Sequence, residues 1–307
     1  MRSELLALLP EISTEIGRVV LGKDLQIQQA LCCLLARGHL LIEDVPGVGK
    51  TTLSQAFAKV TGLDYQRIQF TSDLLPADIL GVSIFDRNSN AFHFHGGPIF
   101  TQFLLVDEIN RASPKTQSAL LEAMAEQQVT VEGATRELPQ PFFVMATQNP
   151  WFQSGTFPLP ESQLDRFLMR ISLGYPDEVS ERRLLSGGDP RGMLQQLRAL
   201  LSDSKILALQ AMVDEVELRD SVLSYVQRVI AFTRQDSHYA FGLSTRAALA
   251  LIQSAKAWAM LQGRDYVLPD DIQLLLAPVA GHRLKPAADS EGPDLIQRLL
   301  SQVPVLV

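Results

Sequence analysis

The sequence predicts an α/β fold, in which a parallel sheet is covered by helices on both faces and is followed by a smaller all-α domain. Up to about residue 175, short apolar runs of strand length alternate with segments of helical periodicity. A glycine-rich loop follows the first of these runs and leads into a helix pattern. Beyond Pro176 the strand-like runs stop and helical spacing continues alone.

Each predicted strand is an apolar run that ends in a turn signal or in polar residues. HLLIE (39–43) stops at a Pro-Gly cluster, and FLLVDE (103–108) ends in two acids. The other predicted strands are YQRIQF (65–70), PFFVMATQNP (141–150) and RFLMRISL (166–173).

Start and stop signals place the helices and one hairpin. The helix after the glycine-rich loop is expected to end at Gly62, and Ser113-Pro114 supplies an N-cap and a first helical residue. QQVTVEGATREL (127–138) alternates around a Glu-Gly turn, which predicts a β-hairpin. We place a domain boundary near 174–177, so that residues 1–175 form the α/β domain and 176–307 the helical domain.

Composition narrows the classes of function. The formal net charge of −7 argues against a stable nucleic-acid binder, whose surface would be basic. The adjacent Cys32 and Cys33 have no metal-ligand spacing and are expected to be buried thiols. No secretory signal and no membrane-spanning apolar run is evident, so the sequence predicts a cytoplasmic protein without a membrane span.

The stretch EDVPGVGKTT (43–52) has the tail of a phosphate-binding loop. Between a strand and a helix, its backbone N–H groups and the helix N-terminus would point at one anion. Lys50 would then reach the β- and γ-phosphates of a nucleotide, and the Thr51 hydroxyl would hold Mg²⁺. A plain turn is the alternative, and the strand–loop–helix setting disfavours it.

The head of this stretch departs from the pattern, because Asp44 stands where a P-loop has its first glycine. A carboxylate pointing into the loop would repel phosphate, so we expect Asp44 to turn away toward backbone donors or solvent. A left-handed backbone conformation is also expected there, since Asp is one of the few residues that tolerate it.

Further polar residues are expected at the carboxyl edge of the sheet. Asp107 and Glu108 end a buried strand, which predicts that Asp107 orients Mg²⁺ and that Glu108 polarises an attacking water. Asn149 follows another strand and could bind a γ-phosphate or the water. Arg166 and Arg246 are also candidates, although for either arginine taken alone a surface role is favoured.

The order and spacing of these pieces resemble an AAA+ ATPase, and more narrowly the MoxR family of that class. The match covers essentially the whole chain, and DEINRASPKTQSALLEAM (107–124) is highly specific. The segments that carry the resemblance are QFTSDLLPADILG (69–81), GPIFTQFLLVDEINRASPKTQSALLEAM (97–124), ATQNPWFQSGTFPLPESQLDRF (146–167) and GLSTRAALAL (242–251).

The resemblance implies a role for each candidate residue. Asp107 and Glu108 would form Walker B, Asn149 sensor 1 and Arg166 the arginine finger that reaches a neighbour's site. Arg246 would be sensor 2, a nucleotide-contacting residue on the helical lid. The nucleotide-binding residues implied are those of Walker A and of the adenine-contacting segment, namely Pro46, Gly47, Val48, Gly49, Lys50, Thr51, Thr52, Val19 and Val20.

The same resemblance implies an ATPase that uses ATP and Mg²⁺ and works as a ring, expected to be a hexamer, on a separate protein with a von Willebrand factor A domain. The alternatives are a nucleic-acid-associated AAA+ motor and a magnesium-chelatase-like ATPase subunit. An insert at about 75–100 and a presensor hairpin at 127–138 would face a central pore. Within that insert, packing against the sheet is favoured for Phe92 and Phe94 over exposure toward the pore.

Overall fold

The structure is a computed structural model that describes residues 2–149, 155–186, 190–287 and 294–305. Its centre is a parallel sheet of five strands, with bounds β1 (Leu40–Glu43), β2 (Tyr65–Gln69), β5 (Phe103–Asp107), β8 (Phe143–Gln148) and β9 (Met169–Ile171). Their spatial order is β2-β5-β8-β1-β9, so the first strand lies inside the sheet. This is the parallel sheet that the sequence predicts.

Two antiparallel hairpins stand apart from the sheet. One, between β2 and β5, has strands β3 (Gly81–Asp86) and β4 (Ala91–Gly96), and the other has strands β6 (Gln128–Val131) and β7 (Ala134–Glu137). The second hairpin turns at Glu132 and Gly133, both of which have positive φ.

Six α-helices and one short 3₁₀ turn accompany the strands in the first 171 residues that the structure describes. They are α1 (Arg2–Gly17), α2 (Asp24–Leu35), α3 (Lys50–Thr61), α4 (Pro76–Leu80), the turn Ile109–Arg111, α5 (Pro114–Glu126) and α6 (Glu161–Leu164). The later described elements are all helices, namely α7 (Glu178–Leu185), α8 (Pro190–Gln196), α9 (Asp203–Asp214), α10 (Asp220–Gln235), α11 (Thr245–Leu261), α12 (Pro269–Ala280) and α13 (Leu295–Gln302).

Both faces of the sheet are buried, as the continuous apolar strands predict. Alternate residues of the inner strands enter different hydrophobic clusters: in β1, Leu40 and Ile42 belong to the larger one, whereas Leu41 belongs to the smaller. The larger cluster also contains residues of α9–α12, so these helices share one continuous core with a face of the sheet. The later helices are therefore packed against the sheet domain.

The last strand is shorter than predicted, since it begins at Met169 and not at Arg166. The N–H of Arg166 donates to Gln163 O, and that of Phe167 to Leu164 O, so both residues continue the turn that follows α6. Arg166 therefore lies in a turn before the sheet.

The exposed hairpin β3–β4 also differs from expectation. Packing against the sheet is wrong for Phe92, which is 72% exposed and whose ring meets that of Phe85 edge-on. Phe94 is half-buried: it packs on Phe100, and the Arg136 guanidinium of the other hairpin lies 3.7 Å from its ring centroid.

A buried histidine supports the amino edge of the sheet. His39 Nδ1 accepts from Val144 N at 3.0 Å, and its Nε2 lies 3.2 Å from Met124 O. The neutral ring satisfies both contacts, with Nε2 protonated as donor to Met124 O and Nδ1 free as acceptor. Burial lowers the pKa of His39 to about 4 from an ordinary value of 6.5.

We predict that acid destabilises the protein through His39. The unfolded chain protonates His39 below about pH 6.5, and the folded chain does so only near pH 4. Lowering the pH through that window therefore lowers the stability of the fold. The free energy of unfolding should fall by about 1.4 kcal/mol per pH unit for this residue. Urea unfolding at pH 7 and pH 5 measures the slope, which His39→Gln should reduce. An equal slope in the variant would contradict the assignment.

Candidate active site

Three strand ends converge at the carboxyl edge of the sheet. Asp44 follows β1, Asp107 ends β5 and Asn149 follows β8, and these strands are adjacent and parallel. Lys50 reaches this edge from the start of α3: its Nζ lies 3.1 Å from Asn149 Oδ1 and 2.5 Å from Asp44 O. Partial burial lowers the pKa of Lys50, although the carboxylates of Asp44, Asp107 and Glu108 oppose that shift. One ammonium group and three carboxylates therefore share this edge.

The loop before α3 has the open backbone that a phosphate needs. Gly47 and Gly49 have φ of +86° and +93°, and a Cβ added at either position would meet no atom within 4 Å. Glycine is favoured there by its backbone conformation, and the space beside both positions, next to the start of α3, is open. Thr51 and Thr52 belong to the first turn of α3, so their N–H groups would face a bound anion.

Asp44 turns away from this loop, as predicted. Its carboxylate accepts from Gly174 N at 2.6 Å, from Val45 N at 2.8 Å and from the Ser172 hydroxyl at 2.9 Å. Burial alone would raise the pKa of Asp44, but these hydrogen bonds outweigh it and lower the pKa below its ordinary value. The predicted left-handed conformation is wrong, because positive φ in this loop occurs at Gly47 and Gly49 and not at Asp44.

We expect Asp44→Gly to change ATP affinity by less than about 3-fold, since the carboxylate faces residues 172–174. The same change should lower the free energy of unfolding by about 1–3 kcal/mol, because the Gly174 N–H and the Ser172 hydroxyl lose a buried acceptor. Titration with a fluorescent ATP analogue and urea unfolding measure the two effects. Ser172→Ala, which removes one donor only, is the matched control. A tenfold gain in affinity would show that Asp44 acts on the nucleotide directly.

Asp107 is held by two neighbours that the sequence did not reveal. Its Oδ2 accepts from Arg67 Nε at 2.7 Å, and its Oδ1 accepts from the Thr147 hydroxyl at 3.2 Å. The Asp107 side chain is 9% exposed and that of Arg67 is 47% exposed. The Asp107 carboxylate is therefore buried and held by hydrogen bonds, whereas the Arg67 side chain is half-exposed to solvent.

Glu108 adopts a left-handed conformation, with φ 56° and ψ 51°. Its N–H donates to the Thr147 hydroxyl at 3.0 Å, and its carboxylate accepts from Arg111 at 3.1 Å. Non-glycine residues rarely adopt this conformation, and such strain is often found at active sites. Thr147 thus connects both acids through one hydroxyl.

The donor set suits Mg²⁺. The Asp107 carboxylate and the Thr51 hydroxyl are hard oxygen ligands, and Mg²⁺ commonly takes only one or two protein ligands beside phosphates and water. Among the described residues there is no group of three or more His, Cys, Asp or Glu that could hold a metal by itself. A magnesium ion would therefore bind here together with the phosphates of a nucleotide. Asp107 would then contact both the ion and Arg67.

Known proteins resemble this chain over its full length. A family model described as "ATPase family associated with various cellular activities (AAA)" matches residues 39–169, and the AAA lid domain matches 231–299. The uncharacterized protein YeaC of Bacillus subtilis is 46% identical, covering 100% of this chain and 97% of its own. Chaperone MoxR1 of Mycobacterium tuberculosis is 41% identical, covering 94% and 80% respectively. The chain belongs to the MoxR family of AAA+ ATPases.

A solved structure supports the fold. A Cytophaga hutchinsonii protein, provisionally described as an ATPase, superposes with a TM-score of 0.89 at 37% sequence identity. The likeness covers 98% of this chain and 95% of that one. The predicted AAA+ sheet followed by a helical lid is thereby confirmed for this MoxR-family protein.

The two candidate arginines lie elsewhere in this MoxR-family chain. Arg166 donates to Leu121 O at 2.7 Å, and Arg246, in the first turn of α11, lies 3.6 Å from the carboxylate of Asp165. Leu168 pairs with His39, at the amino end of β1, whereas the P-loop follows its carboxyl end. The four residues of β1 separate the two edges by roughly 13 Å. Within one chain, therefore, neither arginine lies at the edge of the sheet that carries Lys50.

The residues expected beside adenine are buried. Val19 and Val20 are 4% and 6% exposed and belong to the larger hydrophobic cluster. Their segment contacts the chain just beyond β9 through Lys23, whose Nζ donates to Tyr175 O at 2.7 Å. Their contact with a base stays a prediction.

The structure adds residues that sequence reasoning missed in this MoxR-family site. Thr147 holds both acids, Arg67 and Arg111 pair with one acid each, and Asn110 donates to Asn149 O at 3.5 Å. The available signal for Thr147 was a polar residue directly after the apolar run of β8. None of the helices in the described part of the chain is both long enough and apolar enough to cross a membrane.

Proposed function

We propose that this MoxR-family protein hydrolyses ATP and uses the energy to remodel a partner protein. The observation that carries the proposal is the contact between Lys50 and Asn149, made where Asp107 and Glu108 also end. Side chains from three strand ends and one helix N-terminus are thus arranged around one open phosphate loop. Phosphoryl transfer depends on such positioning and charge, more than on covalent participation by the protein.

In this proposal each residue has a physical task. The loop N–H groups and Lys50 bind the β- and γ-phosphates, while Thr51 and Asp107 hold the Mg²⁺ that neutralises charge there. Glu108 orients a water and accepts its proton, and Asn149 fixes the water and Lys50. Val19 and Val20 are assigned to the adenine side.

We further propose a ring in which Arg166 and Arg246 act on the site of a neighbouring subunit. Both lie at the edge of the sheet opposite their own P-loop, since Arg166 follows Asp165 in the sequence and Arg246 lies 3.6 Å from the Asp165 carboxylate. A cation at the transferring phosphate is most valuable in the transition state, so a ring would complete each site with a neighbour's arginines. Six subunits, the number expected from the sequence, and the domain boundary near 174–177 remain part of this proposal.

The proposed client is a separate protein with a von Willebrand factor A domain, as the family resemblance implies. The two matched family models, at 39–169 and 231–299, contain no such domain. The hairpin β3–β4 supports contact with a protein, because it exposes apolar side chains on an element outside the sheet, namely Val82, Ile84, Phe85 and Phe92. The cytoplasmic location stays a prediction.

Phosphate release from purified protein tests the function. With MgATP we expect turnover that rises with protein concentration as the ring assembles, and none when EDTA removes Mg²⁺. Adding duplex or single-stranded DNA should not stimulate it, in keeping with the net charge of −7. No hydrolysis at any concentration would refute the proposed ATPase, and strong, salt-sensitive stimulation by DNA would favour a nucleic-acid motor.

A further inference from the structure

Arg283, which follows α12 in the lid, makes the most extensive contacts of the arginines near Asp165. Its Nε lies 2.6 Å from Asp165 Oδ1, and its terminal nitrogens donate to the main-chain oxygens of Asp165 (3.2 Å), Phe167 (2.8 Å) and Leu168 (3.2 Å). A further bond goes to Val279 O. Asp165, Phe167 and Leu168 lie immediately before and after Arg166 in the sequence. The lid thus forms hydrogen bonds with the backbone on both sides of Arg166.

This contact is buried and uses the full shape of the guanidinium group. The Arg283 side chain is 6% exposed, and the neighbouring His282 also reaches Phe167 O, at 3.1 Å. A planar fork with five N–H donors can serve several acceptors at fixed angles, whereas a lysine ammonium is a single point. An ordinary surface ion pair between Arg283 and Asp165 would form without the hydrogen bonds to main-chain oxygens, so these bonds show that Arg283 does more than pair with one carboxylate.

A second lid helix meets the same carboxylate. Arg246 on α11 lies 3.6 Å from Asp165 Oδ2, while Arg283 occupies Oδ1. The side chain of Arg246 is 63% exposed, so it is free to move, and that of Arg283 is held. Asp165 therefore joins the end of α12 and the start of α11 to the turn that carries Arg166.

We infer that Arg283 is a positioning residue for Arg166: it fixes the turn at 165–168 to the lid, so that lid orientation sets how Arg166 is presented to a neighbouring subunit. This inference rests on the proposed action of Arg166 in a neighbour's site. It assigns Arg283 no contact with the nucleotide. The ATPase of one subunit then depends on the lid of the subunit beside it.

Mixing of variant subunits tests the inference. Lys50→Ala subunits lack a working P-loop but keep Arg166, so they can supply the arginine to another subunit's intact P-loop. Arg283→Gln keeps Arg166 but frees the turn that carries it, so ATP turnover should fall at least about 10-fold, within the roughly 10³-fold that full loss of an arginine finger costs, with unchanged ATP affinity. Adding Lys50→Ala subunits should restore its activity, whereas adding Arg166→Ala subunits should not.

Restoration by both partners would overturn the inference, since Arg283→Gln would then still present Arg166. Restoration by neither, while Lys50→Ala and Arg166→Ala restore each other, would also overturn it, because Arg283 would then serve its own fold or site. If Lys50→Ala and Arg166→Ala do not restore each other, the proposed action between subunits fails, and the inference fails with it.

Two further variants separate positioning from stability. Arg264→Gln removes a similar, largely buried lid pair at the other end of α12, where Arg264 binds Asp271 at 2.6 Å, and it should leave the turnover of the folded protein within about 2-fold because Arg264 does not contact the turn that carries Arg166. Arg283→Lys keeps the charge and loses the fork, so turnover should still fall, by about 3-fold or more, with the same mixing pattern. Wild-type turnover in Arg283→Lys would overturn the positioning role even if Arg283→Gln fails to fold.

Discussion

Arg166→Ala is expected to lower ATP turnover by roughly 10³-fold, the lower end of what arginine fingers contribute in GTPases. ATP affinity should stay within about 2-fold of wild type, because Arg166 lies at the amino edge of the sheet, roughly 13 Å along β1 from its own P-loop. Phosphate release and titration with a fluorescent ATP analogue measure the two quantities separately.

The control for Arg166 is Arg219→Ala, which removes an exposed lid arginine that pairs with Glu217, two residues away in the sequence. It should behave as wild type. Unchanged turnover in Arg166→Ala would remove this residue from the site. A loss of ATP affinity equal to the loss of turnover would instead mean that the substitution damages the P-loop of the same chain, contrary to the separation of the two edges.

Glu108→Gln is the second change with a large expected effect. The amide keeps the shape and the contact to Arg111 but cannot accept a proton from water, so we expect turnover to fall by about 10²–10⁴-fold. ATP binding should persist, because the loop, Lys50 and Asp107 are untouched. The ATP-bound state should therefore accumulate, together with the ring and the client attached to it.

Affinity purification of tagged Glu108→Gln with MgATP, followed by identification of bound proteins, measures this accumulation. Glu122→Gln, an exposed position on α5, is the matched control and should neither lose turnover nor retain a client. Recovery of a protein with a von Willebrand factor A domain would support the proposed client. Recovery of nucleic acid alone would contradict the remodelling function.

Local patterns were sufficient to predict much of the fold and the positions of the glycine-rich loop and of several candidate residues. The strand–loop–helix order placed Lys50 correctly, because a P-loop is one continuous segment. Asp107 and Asn149 were placed at the same edge because parallel strands end together. Ser113 caps α5 through its hydroxyl, as the Ser-Pro pair predicted.

The remainder depended on tertiary packing, which periodicity does not specify. The position of Arg246 beside Asp165 follows from how α11 and α12 cross the end of the sheet. The conformation of Glu108 depends on Thr147, which lies 39 residues away in the sequence. Exposure of Phe92 could not be distinguished from burial, because alternation in a hairpin shows that two faces differ and does not show which is covered.

The hydrogen bonds of Asp44 have a consequence for how the protein is made. Its partners Ser172 and Gly174 are 128 and 130 residues further along the chain, beyond the last strand of the sheet. During synthesis the loop that binds phosphate is complete early, but its support emerges from the ribosome only with residue 174. Contacts between such distant residues form late in folding. Nascent chains that end before residue 174 should therefore carry a phosphate loop in which the Asp44 carboxylate still lacks its hydrogen-bond partners.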